Sequence, residues 1–308
     1  MQKRCIKTAV LTGPTGAVGT ALCRELAENG IKVFAVCRPN SPRAADLPRH
    51  PLIETVFCDI SALRQLPAMI CGGADAFFHF AWAKTTGAGR NDMPAQIDNV
   101  RYTVDAVAAA NALGCKVFVG AGSQAEYGRV EGKLTAATPC FPENGYGMAK
   151  LCAGQMSRVE CQKYGICHIW TRILSVYGPG DGAGSMISSV IAKLLAGEKP
   201  ALTAGVQKWD YLYSADAAKA FRLLAEQGVD GKVYPLGSGK AVPLRDYIEQ
   251  LRDRIDPTLP LGFGEIPYGP LQVMHLEADV SALATDIGYT PDTPFADGIR
   301  ATIADFKK

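Results

Sequence analysis

Tyr146 and Lys150, in the run Asn-Gly-Tyr-Gly-Met-Ala-Lys, are the residues of this sequence best suited to acid–base chemistry. Residues four apart on a helix share a face, so the ends of these two side chains can converge on one substrate atom. A free tyrosine, with a pKa near ~10, is a poor acid or base at neutral pH. A neighbouring ammonium group favours the phenolate and lowers that pKa. Because this spacing also arises by chance, the pair needs support from its surroundings.

A glycine-rich turn near the N-terminus has the character of a phosphate-binding loop. Gly13, Gly16 and Gly19 follow an apolar strand and precede a helix. Glycines at such a point allow a tight turn, so a pyrophosphate can rest on amide groups at the helix N-terminus. The spacing is looser than Gly-x-Gly-x-x-Gly, and an ordinary glycine-rich loop is the alternative. The position between strand and helix favours dinucleotide binding.

The residues after the second predicted strand favour NADP(H) over NAD(H). An acid at this point accepts hydrogen bonds from the ribose hydroxyls of NAD, whereas an arginine pairs with a 2′-phosphate. The chain has Arg38 and Arg43 here, with no acid before Asp46. A solvated surface arginine is the alternative interpretation of Arg38. Asp59, after the third strand, is placed either to bind the adenine amine or to cap a helix.

Short apolar runs alternate with helical segments, which predicts an α/β fold, a doubly wound Rossmann-type parallel sheet. After Tyr177 the elements become shorter and are broken by Gly and Pro. We expect a dinucleotide-binding domain of residues 1–176 and 205–237 and a smaller C-terminal substrate-binding lobe of residues 177–204 and 238–308. The predicted strands are Thr8–Thr12, Lys32–Cys37, Leu52–Cys58, Ala74–Ala81, Lys116–Gly120 and Cys167–Leu174, and the long helices are Ile97–Leu113 and Tyr146–Tyr164.

Composition argues against several classes of protein. The 308 residues carry a formal net charge of +2 without long basic runs, which argues against nucleic-acid and membrane-surface binding. No apolar stretch approaches the ~20 residues that span a bilayer. The N-terminus lacks the features of a signal peptide. The ten cysteines are scattered without a Cys-x-x-Cys pair, so we interpret them as reduced and structural, with no metal site, in a cytoplasmic protein.

The assembled motifs resemble those of the extended short-chain dehydrogenase/reductase family, in particular the NAD-dependent epimerase/dehydratase branch that acts on nucleotide sugars. The likeness covers nearly the whole chain, and its weight comes from the order of motifs that are individually weak. They are Thr12-Gly-Pro-Thr-Gly-Ala-Val-Gly19, Phe78-His-Phe-Ala-Trp82, Asn99-Val-Arg-Tyr-Thr103, Ser123-Gln-Ala-Glu-Tyr-Gly128, Tyr146-Gly-Met-Ala-Lys150, Arg172-Ile-Leu-Ser-Val-Tyr-Gly-Pro179 and Trp209-Asp-Tyr-Leu-Tyr-Ser-Ala-Asp216.

The resemblance implies a role for each matching residue. Tyr146 would be the acid/base, and Lys150 would bind the nicotinamide ribose and lower the tyrosine pKa. Ser123 would hydrogen-bond the reacting oxygen, and Asn99 would support a water relay, although local capping is the alternative for both. The other implied contacts are, for the cofactor, Gly13, Thr15, Gly16, Ala17, Val18, Arg38, Asp59, Ile60, Phe80, Ala81, Trp82, Ala121 and Ile173, and, for the substrate, Gln124, Ser175 and Trp209.

Departures from the family pattern concern the substrate. Family dehydratases carry an acid pair directly after the position of Ser123, where this chain has Gln124 and Ala125, which argues against a 4,6-dehydratase. Glu126 lies one position further along and cannot be assumed to substitute.

The arginines that bind a nucleotide diphosphate in the family are also missing. Their positions are taken by Trp209 and Gly269, and Ser175 stands where an asparagine is expected. Each missing arginine would supply charge-assisted contacts to phosphate. Lys208 and His275 are candidates to compensate.

Three hypotheses follow. The favoured one is an NAD(P)-dependent 4-epimerase or 4-ketoreductase acting on a sugar, which the family resemblance implies to be nucleotide-linked. The second keeps the redox chemistry but has a non-nucleotide carbonyl substrate, and the third is a non-catalytic NADP-sensing protein. The resemblance also implies a homodimer in which Ile97–Leu113 and Tyr146–Tyr164 form a four-helix bundle, although their alanine-rich faces could instead cover the sheet.

Overall fold

A computed structural model of the chain describes residues 3–182 and 184–307. Within them, the strands are β1 Thr8–Thr12, β2 Lys32–Cys37, β3 Ile53–Phe57, β4 Ala76–His79, β5 Val117–Ser123, β6 Cys167–Ile173, β7 Ser175–Tyr177, β8 Ala201–Leu202, β9 Lys208–Trp209, β10 Tyr211–Tyr213, β11 Val233–Leu236, β12 Val242–Pro243 and β13 Gly262–Phe263. The α-helices are α1 Ala17–Glu28, α2 Met93–Ala112, α3 Gly145–Tyr164, α4 Met186–Leu195, α5 Ser214–Gln227, α6 Leu244–Ile255, α7 Ser281–Ile287 and α8 Phe295–Phe306.

Seven strands form the central sheet, in the order β11-β6-β5-β4-β1-β2-β3, and every pair in it is parallel. Alternate residues of β1 face opposite sides, as strand geometry requires. Leu11 packs with Leu22 of α1 and Phe221 of α5, whereas Val10 packs with the alanines of α2, such as Ala106. Helices therefore cover both faces, and the expected doubly wound Rossmann-type fold is confirmed.

Two strand ends carry the sites predicted from the sequence. The turn after β1 leads into α1, and the end of β5 lies beside β4, which is paired with β1. The carboxyl ends of parallel strands meet at one edge of the sheet, the usual place for a ligand in an open α/β fold.

The helix that carries Tyr146 has defined ends. The Asn144 side chain accepts a hydrogen bond of 2.9 Å from the Gly147 amide, which caps the start of α3. Gly165, with φ of 68°, ends the helix in the left-handed conformation that favours glycine. The helix therefore begins one residue before Tyr146, at a point set by its cap.

Several predicted boundaries were wrong. The fifth strand, predicted as Lys116–Gly120, runs to Ser123, because Gly122 and Ser123 pair with β6. The helix predicted as Ile97–Leu113 begins at Met93, where Asp92 accepts a hydrogen bond from the Ala95 amide. The strands predicted as Leu52–Cys58, Ala74–Ala81 and Cys167–Leu174 are shorter, as their bounds above show.

The later part of the chain forms a second apolar cluster. Ile191 of α4, Leu251 of α6 and Ile299 of α8 pack together with Tyr177 and Leu202. The division of the chain into two domains at the residues given above stays a prediction. Among residues 3–182 and 184–307, no helix has the length and apolar character needed to cross a membrane.

All ten cysteines are free thiols. Five are buried in the core, as a small apolar side chain would be: Cys23, Cys37, Cys58, Cys115 and Cys161. Cys5, Cys71 and Cys152 are exposed, so a structural role in the core does not extend to them.

Candidate active site

The turn after β1 requires glycine at two positions. A Cβ atom on Gly13, which has φ of 72°, would lie 2.8 Å from the Ala81 amide nitrogen, and one on Gly19 would lie 2.2 Å from the Gly13 carbonyl oxygen. The hydroxyl of Thr12 accepts hydrogen bonds from the amides of Phe80 and Ala81 at 3.1 and 3.2 Å. The turn is thereby held against the end of β4.

The N-terminus of α1 is suited to an anion. Gly16 precedes the helix and offers no side chain to cap it, and the first turn contains no acidic residue. The first amides of a helix otherwise lack partners and carry the positive end of its dipole. Together with the close-packed Gly13 and Gly19, this arrangement fits the pyrophosphate of a dinucleotide.

Tyr146 lies at the start of α3 between two close-packed glycines. A Cβ on Gly145 would lie 2.8 Å from the Met93 sulfur, and one on Gly147 would lie 2.3 Å from the Ala125 carbonyl oxygen. These approaches bring the helix start against the segment that follows β5. As a result, Ser123 and Tyr146 line one cleft.

Ser123 is the last residue of β5, and a capping box holds it in place. Its hydroxyl accepts a hydrogen bond of 3.2 Å from the Ala125 amide, and its own amide donates at 2.8 Å to Glu126. The Glu126 carboxylate also accepts from Arg172 Nε at 2.8 Å and from the Trp170 indole at 3.0 Å. Glu126 is fully buried and holds the Ser123 backbone through the hydrogen bond from that amide; whether it substitutes for the missing acid pair stays untested.

Opposing effects act on the phenol of Tyr146. Burial raises its pKa, whereas a hydrogen bond with Ser123 and the positive charge of Arg90 lower it, and the charge of Glu126 raises it. The guanidinium carbon of Arg90 lies 4.7 Å from the centroid of the Tyr146 ring. Sequence reasoning missed Arg90, because it lies 56 positions away in a segment without a recognised motif.

Lys150 is oriented differently from what the spacing alone suggested. Its Nζ donates a hydrogen bond of 2.6 Å to the Ala121 carbonyl and lies 3.7 Å from the Trp82 ring centroid, but 5.8 Å from that of Tyr146. Burial lowers its pKa to about 7. Its predicted effect on the pKa of Tyr146 stays a prediction.

Asn99 anchors the segment that follows β4. It accepts a hydrogen bond of 2.9 Å from the Ala83 amide and donates one of 3.0 Å to the Ala83 carbonyl. Gln96 accepts from the Trp82 indole at 2.9 Å. These contacts, made by a fully buried Asn99, give it an anchoring role, and the water relay stays a prediction.

The predicted cofactor and catalytic residues largely meet in one cleft of about 310 Å³. Sequence reasoning missed Thr85, Gly122, Leu174, Val176 and Asp181 in its lining. Asp181 follows Tyr177-Gly-Pro-Gly, which the sequence pattern identifies only as the point where the elements become shorter. The predicted residues that line the cleft are Gly13, Gly16, Ala17, Val18, Phe80, Trp82, Ala121, Ser123, Tyr146, Lys150 and Ile173.

Other predicted cofactor residues lie outside this lining. Arg38 is exposed at the end of β2, and Arg43 donates a hydrogen bond of 2.8 Å to the Gly180 carbonyl. Asp59 caps a 3-10 helix that starts at Ile60, because its carboxylate accepts from the Ser61 amide at 2.9 Å. Capping, one of the two alternatives for Asp59, is therefore observed. Thr15 lies within the turn itself, and the backbone of Ala81 lies against Gly13.

The predicted substrate residues are neighbours in sequence of the cleft lining or bond to such a neighbour. Trp209 donates a hydrogen bond of 2.8 Å from its indole to the Ser175 hydroxyl, and Gln124 starts the short 3-10 helix after β5. His275, a candidate to replace a missing arginine, accepts from the Gly132 amide and lies 3.0 Å from the Glu277 carboxylate. Its two ring nitrogens are thus already engaged.

Comparison with known proteins identifies the family. The sequence model of the family described as NAD dependent epimerase/dehydratase matches residues 9–237. An uncharacterized UDP-glucose epimerase of Bacillus subtilis is 26% identical over 309 residues, covering 96% of each chain. The CDP-abequose synthase of Salmonella muenchen is 25% identical over 306 residues, covering 97% of each.

Solved structures agree in fold. A UDP-N-acetylglucosamine 4-epimerase from Methanobrevibacter ruminantium has a TM-score of 0.87 at 23% identity, covering 100% of this chain and 99% of its own. A UDP-glucuronic acid 4-epimerase from Bacillus cereus, in complex with NAD, has a TM-score of 0.83 at 20% identity, covering 97% and 96%. With the family match over most of its length, the chain is an enzyme of the NAD-dependent epimerase/dehydratase family.

Proposed function

We propose that this enzyme acts on a nucleotide-linked sugar, interconverting a carbinol and a keto carbon with Tyr146 as the acid/base. The observation that carries the proposal is the meeting of Tyr146, Ser123 and Lys150 in one cleft with the glycine turn of residues 13–19. The curated relatives named above act on UDP- and CDP-linked sugars according to their names. The chain itself contributes the acid/base and the dinucleotide turn.

Tyr146 moves the proton in this proposal. As a phenolate it takes the proton of the carbinol hydroxyl, and as a phenol it returns a proton to the ketone oxygen. Ser123 hydrogen-bonds Tyr146 and lowers the pKa of its phenol, so the phenolate forms more readily. Because the Ser123 hydroxyl is fixed by the Ala125 amide, it can also hydrogen-bond the same substrate oxygen.

The residues that would hold the dinucleotide are those of the turn and of the cleft floor. Gly13, Gly16 and the first amides of α1 would bind the pyrophosphate, and Lys150 would bind the nicotinamide ribose. When bound, the nicotinamide accepts or returns the hydride of the carbinol carbon. Phe80 and Trp82 line the same cleft.

Product analysis with a nucleotide-sugar panel tests the proposal. UDP-, dTDP- and CDP-linked sugars are incubated with NAD(H) or NADP(H), and products are identified by ¹H NMR. Tyr146→Phe should reduce turnover by roughly 10²-fold or more, since general acid–base catalysis contributes about that much. Tyr102→Phe is the matched control, because that tyrosine also has a stacked arginine but lies away from the cleft. Full turnover by Tyr146→Phe would contradict the mechanism.

The same samples separate an epimerase from a reductase. An epimerase regenerates its cofactor in each turnover, so the dinucleotide would remain with the protein through purification. A reductase releases oxidised cofactor and product, so NADPH would exchange readily. The mass of dinucleotide released on denaturing the purified enzyme distinguishes the two.

A preference for NADP(H) is part of the proposal. Arg38 is exposed at the end of β2, where a cation can pair with a 2′-phosphate. Arg38→Ala should weaken NADP⁺ binding by about tenfold and leave NAD⁺ binding within about twofold, since only one ligand carries the phosphate. Equal losses for both dinucleotides, or none, would contradict the preference. Isothermal titration calorimetry provides both dissociation constants.

A non-nucleotide carbonyl substrate is the second candidate, favoured by the contacts of Trp209. Its indole is bonded to Ser175, and His275 is bonded to Gly132 and Glu277, so neither replaces a phosphate-binding arginine in this geometry. A thermal-shift panel discriminates between the candidates. Stabilisation by UDP, dTDP or CDP in the presence of NADPH supports a nucleotide sugar, and no stabilisation by any of them supports the alternative.

We also propose a homodimer through α2 and α3. Met148, Met156 and Val159 are exposed at helical spacing on α3, and Ile97, 69% exposed, lies on α2, which packs against α3. A second copy of the chain would cover this stripe, as the family resemblance implies. Ile97→Lys with Val159→Lys should yield monomers by light scattering, whereas Leu271→Lys, at an exposed leucine elsewhere, should not.

The free thiols support a cytoplasmic location. All ten cysteines are unpaired, which suits a reducing compartment. Fluorescence microscopy of the tagged protein in its host would test this location.

A further inference from the structure

Arg90 occupies a position against the proposed acid/base that no sequence motif indicated. It lies in a 3-10 helix, Gly87–Asn91, between β4 and α2. Its guanidinium carbon is 4.7 Å from the centroid of the Tyr146 ring, within the range of a cation–π contact. The Trp82 ring meets the same tyrosine edge-on at 6.1 Å.

Hydrogen bonds on both sides fix the segment that carries Arg90. The Asn91 side chain accepts a hydrogen bond of 2.9 Å from the Gly145 amide, at the start of the helix that bears Tyr146. Gln96 donates from Nε2 to the carbonyls of Gly89 and Lys84, each at 3.0 Å. The position of the guanidinium is therefore built into the fold, since its segment is tied to both α2 and α3.

The guanidinium of Arg90 is half-buried beside Tyr146. Its Nε is buried without a hydrogen-bond partner, and no carboxylate pairs with it, in the part of the chain that the structure describes. A guanidinium stays protonated across the range in which proteins are stable. Lys150, the other cation near Tyr146, has a pKa lowered to about 7 and so loses part of its charge near neutrality.

We propose that Arg90 is a positioning residue that holds a permanent positive charge against the face of Tyr146 and so favours the phenolate. This role deepens the proposed function and rests on it, because it acts through the acid/base. The charged groups that face Tyr146 are Arg90, Glu126 and Lys150, and Glu126 opposes the phenolate. The charge of Arg90 lowers the pKa of Tyr146, in agreement with this geometry.

Titration of Tyr146 tests the proposal without a substrate. The full-length enzyme is labelled with [ζ-¹³C]tyrosine, and the Tyr146 resonance is identified by its loss in Tyr146→Phe. Arg90→Gln keeps a planar group that can stack on the ring but removes the charge. Arg90→Lys keeps the charge, and Arg101→Gln removes the matched guanidinium that lies 5.1 Å from the Tyr102 ring.

We expect Arg90→Gln to lower the phenolate fraction of Tyr146 at a given pH about tenfold. This change corresponds to a pKa of Tyr146 that is higher by about one unit. Arg90→Lys should change it less than about threefold and Arg101→Gln less than about twofold, because charge rather than shape is decisive. An unchanged titration in Arg90→Gln, or equal shifts in Arg90→Gln and Arg90→Lys, would overturn the proposal. If Arg90→Gln does not fold, Arg90→Met carries the same expectation.

The outcome is separable from that of the proposed function. Full turnover by Tyr146→Phe would refute the proposed function, whatever the result of the titration. If the titration of Tyr146 is unchanged in Arg90→Gln while Tyr146→Phe is inactive, only the proposed role of Arg90 is refuted.

Discussion

Replacing Lys150 by methionine should stabilise the fold at neutral pH while it impairs the site. Lys150 is only 3% exposed, and burial lowers its pKa from 10.5 to about 7. A difference of about 3.5 units, at 1.36 kcal/mol per unit, corresponds to about 5 kcal/mol against burying the ammonium. Two losses oppose this gain. Loss of the hydrogen bond to Ala121 destabilises the variant by about 1–3 kcal/mol, and loss of the Trp82 contact destabilises it by about 1 kcal/mol. The free energy of unfolding of Lys150→Met should therefore exceed that of the wild-type protein by about 1–3 kcal/mol.

The gain must depend on pH with a definite sign. Below pH 7, Lys150 is protonated in both the folded and the unfolded chain, so the full cost of burial applies. Between pH 7 and 10.5 the unfolded chain keeps a proton that the folded chain releases, so the wild-type protein gains stability as pH rises. The advantage of Lys150→Met is therefore largest at pH 6–7 and shrinks toward pH 10.

Urea unfolding at pH 6, 8 and 9.5, without added dinucleotide, measures this dependence. Lys32→Met is the matched control, because the Lys32 side chain is 41% exposed and also lies near an aromatic ring, 4.5 Å from that of Phe34. The difference in unfolding free energy between Lys32→Met and the wild-type protein should not decrease as pH rises. A Lys150→Met protein that is less stable than wild type at pH 6, or whose difference from wild type does not vary with pH, would refute the reasoning.

Two further substitutions test the packing behind the site. Glu126→Gln should destabilise the protein by about 3–5 kcal/mol in urea unfolding, because Arg172 is left as an unpaired buried charge; an unchanged midpoint would contradict the support role of Glu126. Gly19→Ala should lower the free energy of unfolding by about 1–3 kcal/mol, because the new Cβ would lie 2.2 Å from the Gly13 carbonyl oxygen. Gly269→Ala is the control and should leave the urea midpoint unchanged, because no atom lies within 4 Å of its Cβ position. Equal midpoints for the two alanine variants would show that the turn can relax.

The sheet could be predicted from the sequence because its strands are buried on both faces. Runs such as Thr8–Thr12 and Lys32–Cys37 are nearly continuous apolar segments, and their bounds agree with the structure. The end of β5 escaped prediction, because Gly120-Ala-Gly-Ser123 has low strand propensity. Its pairing with β6 makes it a strand.

The site could be predicted only where one segment carries the chemistry. The turn around Gly13 and the pair Tyr146 and Lys150 were visible as local spacing. The contacts of Arg90 with Tyr146 and of Trp209 with Ser175 join segments that are far apart in the chain. Such contacts depend on tertiary packing, which spacing along the sequence does not encode.

The central claim is that Tyr146 transfers the proton of the hydroxyl group on the reacting carbon. The most direct measurement is the single-turnover change in absorbance at 340 nm when the enzyme, loaded with dinucleotide, is mixed with the nucleotide sugar it converts. The account predicts that Tyr146→Phe slows this change by roughly 10²-fold or more while substrate binding is retained. An unaltered rate in Tyr146→Phe would contradict it.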